Sequence, residues 1–286
     1  MLRNTLKTTV LLASLGGLLI LIGGVFGGKV GIVIGALIGF GVVGVSYWKS
    51  DAIAIRAAKA VPVTEQEMPE YYAIVRDLTQ RADMPMPKLY VSPEMQPNAF
   101  ATGRDPEHAA VAVTQGILQV LDWDELRGVL AHEISHVGNR DILISSVAAS
   151  VAMGIMLLAS FARFAAIFGG GGGSGRNRND NMFTLLAMSL LAPLAAGMLQ
   201  MALSRSREYE ADRSGAHLIG DGEPLARALQ KIESYAARVP MDVSPAQAQA
   251  YIINPLTGRK AQFGNLFRTH PPTDDRVARL RSGDWK

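Results

Sequence analysis

Two uncharged apolar runs, Thr8 to Phe26 and Val30 to Trp48, open the chain with only Gly27, Gly28 and Lys29 between them. Each has 19 residues, close to the roughly 20 that an α-helix needs to cross the hydrocarbon core of a bilayer. So short a break predicts a tight helical hairpin with both outer ends on one face. Arg3, Lys7, Lys49, Arg56 and Lys59 lie at those ends, and basic residues flanking a span mark the cytoplasmic side. The first run is longer than the roughly 7–15 apolar residues of a signal peptide and no A-x-A-like cleavage site follows, so it reads as a retained span. Gly31, Gly35 and Gly39 repeat at four-residue spacing, which sets them on one helix face where backbones can approach closely.

Composition fits this reading. Of the 286 residues 49% are hydrophobic and 29 are glycine, the latter commoner in membrane helices than in soluble ones. The net charge of +3 comes from scattered Lys and Arg, with no basic stripe to track a phosphate backbone, so nucleic acid is excluded as a partner. The chain has no cysteine, which excludes disulfides and thiolate metal ligation.

A soluble stretch follows. Thr64 and Glu67 have capping-box spacing ahead of a helix through Tyr71, Tyr72 and Leu78. Lys88 to Val91 and Ala109 to Thr114 read as strands, and between them Asn98, Ala99, Phe100 and Ala101 lie in a segment bounded by Pro97 and Gly103 that suits an edge strand. Asp122 and Glu125 form a second cap-like pair, starting a helix that runs through Leu126, Val129 and Leu130. Ile142 to Phe168 and Met182 to Leu203 are again apolar, the second with Pro193 as a kink, and are joined by the glycine-rich segment Gly169 to Asn181. They read as a second hairpin, spanning the bilayer or partly inserted. Beyond it a helix is expected from Pro224 to about Val239 and a shorter one from Thr273. The helix begun at Asp122 carries H-E-x-x-H at His132 to His136, the pattern of a helix-borne zinc peptidase site, so the expected architecture is mainly α with a small β-sheet: a membrane protein with two helical hairpins, about four transmembrane helices, and a zincin-like HExxH metallopeptidase domain. Its parts are an N-terminal hairpin (1–50), the first half of the peptidase domain (51–141), the second hairpin (142–203) and the second half of the domain (204–286).

The chemistry is carried by His132-Glu133-Ile134-Ser135-His136, an H-E-x-x-H sequence on an expected helix. A four-residue step puts both imidazoles on one face, so they can reach one ion while Glu133 points beside it toward a water as general base. Neutral imidazole suits Zn2+, and a catalytic zinc keeps three protein ligands and one open position. The third ligand is expected at the polar end of the last apolar block. There Glu208 and Asp212 are four apart and share a helix face, while Glu210 points elsewhere. One of the pair can bind the ion and the other can accept a hydrogen bond from the second ring nitrogen of a histidine ligand; spacing alone leaves the division open.

Over almost its whole length the chain resembles the HtpX family of bacterial membrane zinc metallopeptidases, relatives of the CAAX prenyl-protein endopeptidases. The resemblance lies in the first hairpin, Pro97-Asn98-Ala99-Phe100-Ala101-Thr102-Gly103, HEISHVGNRD from His132 to Asp141, SRSREYEAD from Ser204 to Asp212, and HPPTDDRVARL from His270 to Leu280. It implies that Glu208 is the third zinc ligand, that Asp212 supports the site, and that His270 and Arg276 lie beside it. It further implies one zinc per chain and protein or peptide substrates, damaged membrane proteins among them. A role in membrane-protein quality control under stress is implied in the same way.

On this reading His270 adds a hydrogen-bond donor to the developing oxyanion, and Asn98 to Ala101 offer a strand edge to an extended substrate backbone. His136 precedes the second hairpin and Glu208 follows it, which sets the site near the membrane surface. With the hairpin ends inside, the enzyme is a multi-pass protein of the cell's inner membrane whose catalytic domain faces the cytoplasm. An inactive zinc scaffold has no use for Glu133, a prenyl-protein peptidase calls for more apolar blocks, and a transporter would not keep half its chain outside them.

Overall fold

The computed structural model describes residues 2–143, 205–238, 252 and 271–286, with part of the side chains of the first helix left out. The expected second hairpin, with the expected kink at Pro193 and the glycine-rich connector, falls outside the described residues beyond 143, as does His270.

Helix α1 (Leu2–Trp48) carries both apolar runs and is interrupted at Gly28, whose φ of 56° and ψ of −139° are not helical. Positive φ is open to glycine because it lacks a Cβ. A Cβ built on Gly24 would come within 3.1 Å of Ile32 Cγ1, whereas eight residues of straight helix span about 12 Å. The chain therefore doubles back at Gly28, as the short break predicts. Gly31, Gly35 and Gly39 are all buried, while Val30, Val33, Leu37 and Phe40 are exposed. Among the described residues no helix is long and apolar enough to cross a membrane.

Backbone hydrogen bonds from Lys49 N to Val45 O and from Ile53 N to Lys49 O carry α1 into α2 (Ser50–Ala57) almost without a break. A four-stranded sheet follows in the order β1-β2-β4-β3. Strand β1 (Val61–Pro62) is antiparallel to β2 (Lys88–Ser92), β2 is parallel to β4 (Ala109–Thr114), and β3 (Ala99–Gly103) is antiparallel to β4 at the edge. Both expected strands and the expected edge strand are present.

Helix α3 (Pro69–Arg81) begins later than the Thr64–Glu67 pair suggests. That pair does bond, Thr64 N and Oγ1 both donating to Glu67 Oε2, but it closes a turn ahead of the helix. Proline at the first helical position sets the start instead, because its fixed φ suits a helix and its missing N–H is not needed there.

At the centre lies α5 (Trp123–Gly138), reached through the short α4 (Gln115–Val120). Asp122 accepts from Glu125 N at 2.9 Å and Glu125 Oε2 accepts from Asp122 N at 3.1 Å, a reciprocal capping box. Leu126, Val129, Leu130 and Ile134 of α5 are buried against Tyr71, Val75 and Leu78 of α3, Val111 and Val113 of β4, and Leu225, Leu229 and Ile232 of α7 (Glu223–Arg238). Full burial of one such aliphatic side chain stabilises by about 1.5–3 kcal/mol.

Two glycines bring the helices close. A Cβ on Gly128 would stand 2.4 Å from Leu225 N, and one on Gly215 would stand 2.9 Å from His132 N. The second contact seats α6 (Arg205–Ile219) directly on the histidine-bearing turn of α5. Helix α8 (Thr273–Ser282) completes the described fold and sends Arg276 into the interior.

Candidate active site

His132, Glu133 and His136 lie on the last turns of α5, and Glu208 opens α6 across from them; all but the part-buried His136 are buried. The Nε2 atoms of the two histidines are 3.2 Å apart. A Glu208 oxygen stands 3.7 Å from His132 Nε2, and the other 3.6 Å from His136 Nε2. Atoms about 2.0–2.1 Å from one tetrahedral zinc stand about 3.3 Å from one another. One donor atom from each of the three residues lies within 4.8 Å of the other two, close enough for a single ion to draw together, and their chemistry, two imidazoles and one carboxylate, is that of a hydrolytic zinc site.

The outer nitrogens are also held. Asp212 Oδ1 lies 2.9 Å from His132 Nδ1, and Asp141 Oδ2 lies 3.3 Å from His136 Nδ1. A carboxylate on Nδ1 fixes the ring so that Nε2 faces the ion, and makes that nitrogen more basic.

Asp141 owes its place to the end of α5. Arg140 adopts φ 58°, Arg140 N bonds Val137 O and Asp141 N bonds His136 O at 2.9 Å. This is a Schellman closure, and it folds the Asp141 carboxylate back under His136.

Asp212 is anchored from α8. Arg276 Nε and Nη2 donate to its two oxygens at 2.8 and 2.7 Å, a bidentate pair. Arg276 Nη1 also donates to Ile252 O at 3.0 Å, and Ile252 N donates to Asn98 Oδ1 at the same distance.

The charges follow from these contacts. Burial raises the pKa of Asp212, but the Arg276 charge and its hydrogen bonds, aided by His132, outweigh it and bring the value down to about 2. Burial opposes charge on His136, yet the Asp141 hydrogen bond and the Glu208 and Glu133 carboxylates raise its pKa to about 9. The field at the donor triangle favours a cation. Burial also raises the Glu133 pKa, against the lowering effect of His132 and His136, the direction a general base working near neutrality needs.

Glu133 Oε2 accepts from Ala101 N at 2.9 Å. Thr114 N donates to Asn98 O, and antiparallel pairs alternate, so Asn98 and Phe100 turn their backbones to β4 while Ala99 and Ala101 turn theirs to the side away from it. Of the four residues expected to meet substrate, Ala99 is buried, Ala101 gives its N–H to Glu133, and Asn98 uses its side chain on Ile252. Asp141 and the Ala101 N–H are the two contributors that motif reading passed over; the Asp five residues after His136 was the available signal.

Residues 65–284 match Peptidase family M48. The chain belongs to that family. M48 members are metal-dependent peptidases, and this chain is accordingly a metallopeptidase, a hydrolase of peptide bonds. Similar relatives are each called Protease HtpX homolog. That of Desulforapulum autotrophicum is 49% identical over 281 residues, covering 98% of this chain and 90% of its own. That of Burkholderia thailandensis is 50% identical over 280 residues, covering 97% and 96%. That of Pelotomaculum thermopropionicum is 47% identical over 279 residues, covering 98% and 99%. Among solved structures, S. mikatae Ste24p shares the fold with a TM-score of 0.51 at 19% identity, covering 98% of this chain and 66% of that one. The M48 match takes in both α5 and α6, the two helices that build the donor triangle.

Proposed function

We propose that the chain is a membrane-bound, zinc-dependent endopeptidase of the HtpX type, with His132, His136 and Glu208 holding one Zn2+ and Glu133 as general base. The observation that carries this reading is the donor group, with the two Nε2 atoms 3.2 Å apart, one Glu208 oxygen 3.6 Å from His136 Nε2 and the other 3.7 Å from His132 Nε2, next to a buried Glu133. Zinc, when bound, would supply Lewis-acid activation of water and carbonyl. Glu133 takes the proton of the attacking water on its carboxylate and passes it to the leaving amine, while the Ala101 N–H holds Oε2 in place. Asp212 and Asp141 keep the two imidazoles oriented, and Arg276 keeps Asp212 ionised. An extended substrate is proposed to add to the outer edge of β3 along Asn98 to Ala101, which gives affinity with little dependence on side chains. His270 is proposed to add a donor to the developing oxyanion.

Membrane attachment is supported by the two 19-residue apolar runs, by their reversal at Gly28 and by the exposed Val30, Val33, Leu37 and Phe40. Basic residues at the hairpin ends favour a cytoplasmic catalytic face in the inner membrane, and 142–203 is proposed as a second inserted hairpin. Damaged or misfolded membrane proteins are the substrates proposed, in a quality-control role under stress. The test is Glu133→Ala in detergent-purified protein, with zinc content and casein cleavage measured together. Zinc retained with cleavage lost is expected; cleavage at the parental rate removes Glu133 from the mechanism.

A further inference from the structure

The edge strand that reaches Glu133 is tied at its far end to the first helix. Gly103 closes β3 with φ 137°, and a Cβ there would meet His108 O at 2.3 Å, so the corner admits glycine alone. Asp105 then accepts from His108 N at 2.8 Å and caps the 3-10 turn Pro106–His108. Between these two fixed points Arg104 extends back to α1, its guanidinium 4.8 Å from the ring centroid of Trp48. The Arg104 side chain is 19% exposed, and Asp105 lies 3.4 Å from its Nε. Trp48 is the last residue of α1, is 60% exposed, and stands edge-on to Tyr47 at 5.3 Å. Paired Tyr and Trp at the end of an apolar helix suit the boundary between lipid and water.

We propose that the Arg104–Trp48 contact is a specificity-determining device: it fixes the Gly103 end of β3 at the bilayer boundary, so that a membrane-held substrate meets the outer edge of β3 in register with Glu133. This rests on the membrane reading of α1. An added strand antiparallel to β3 runs from Gly103 toward Ala99, and its N-terminal side is the side nearest Trp48. The device therefore favours chains tethered to the bilayer by their N-terminal part. Arg104 is a positioning residue: it sets where β3 stands relative to the bilayer and leaves the Ala101–Glu133 contact intact, so only a membrane-held substrate feels its loss.

The test uses the full chain, zinc-loaded, in phosphatidylcholine vesicles, with one casein-derived peptide in two forms, free and N-terminally palmitoylated. Arg104→Ala and Trp48→Ala are each expected to lower kcat/KM for the palmitoylated form by about three- to fivefold, the size of a part-exposed cation–π contact, and to leave the free form unchanged. Trp48→Phe should restore most of the loss, and the double variant should be no worse than the poorer single one. Equal loss on both peptides, additive losses in the double variant, or no loss at all would overturn the proposal. Failure of the parental chain to float with the vesicles would instead remove the membrane reading on which it rests.

Discussion

Asp212 Oδ1 stands 2.9 Å from His132 Nδ1, while Arg276 grips both oxygens of the same carboxylate at 2.7 and 2.8 Å. One buried acid thus joins three elements, α5, α6 and α8, at a ring whose other nitrogen faces the donor triangle. Removing its charge leaves His132 free to turn. Asp212→Asn is expected to lower zinc affinity and kcat/KM by about 10- to 100-fold, the usual effect of losing a partner that orients a metal ligand. Competition with a zinc chelator, run beside peptide cleavage, measures both; unchanged affinity would separate Asp212 from the site.

Arg276 is 1% exposed, and its removal strands a buried anion. Arg276→Met should cost about 3–5 kcal/mol of stability, the range for breaking a buried pair on one side. Arg276→Lys should recover little, because an ammonium cannot make the two-pronged bond to Asp212 and also reach Ile252 O. Thermal unfolding followed by Trp fluorescence tests both; a Met variant as stable as the parent would contradict the pairing.

The same pair sets an acid limit. Asp212 titrates at about 2 in the folded chain against 3.8 for the free group. Because the folded value is the lower, its contribution is fully present above pH 3.8 and is lost as the pH falls toward 2. In chelator-treated protein, the stability difference between parent and Asp212→Asn should stay level from about pH 6 to about pH 4 and shrink below that. A difference that fades already near pH 6 would assign the effect to another group.

Gly215 tests the packing that places Glu208. A Cβ there would stand 2.9 Å from His132 N and 3.0 Å from Ala131 C, both backbone atoms that cannot swing aside. Gly215→Ala should push α6 off α5, costing about 1–3 kcal/mol as overpacking does, and should lower zinc affinity with it. Asp122→Ala makes the contrast: loss of the cap should cost about 1 kcal/mol with zinc affinity kept, since Asp122 begins α5 and the ligands end it.

Local signals in the sequence translated well into structure. The His132–His136 step, the Asp122–Glu125 box and the Gly28 break each depend on a few neighbouring residues, and each is present as expected. The strand edge was legible from Pro97 and Gly103 bounding a short apolar segment. Thr64 and Glu67 show the limit of such signals, since their bond forms without starting the helix. Long-range partners were harder. Arg276 and Asp212 are 64 residues apart, and no periodicity joins them; only resemblance to a family set them side by side. Asp141 stayed hidden for another reason: its approach to His136 requires a left-handed Arg140, a conformation that sequence favours at glycine or asparagine. Spacing likewise left Glu208 and Asp212 alike, because both sit on one face; only resemblance to a family divided their roles, and in the structure Glu208 stands toward the Nε2 of His132 while Asp212 stands at its Nδ1.

On the proposed reading two imidazoles of α5 and one carboxylate of α6 bind a single zinc. Its most direct test is zinc per chain, by mass spectrometry of the metal, in purified parent, Glu208→Ala and Glu210→Ala. Glu210 lies on the same helix but is exposed, lining a surface cavity with Arg213 and Arg279. The parent and Glu210→Ala should each carry about one zinc, the load of a three-ligand hydrolytic site, and Glu208→Ala almost none. A Glu208→Ala chain that keeps its zinc would contradict the account.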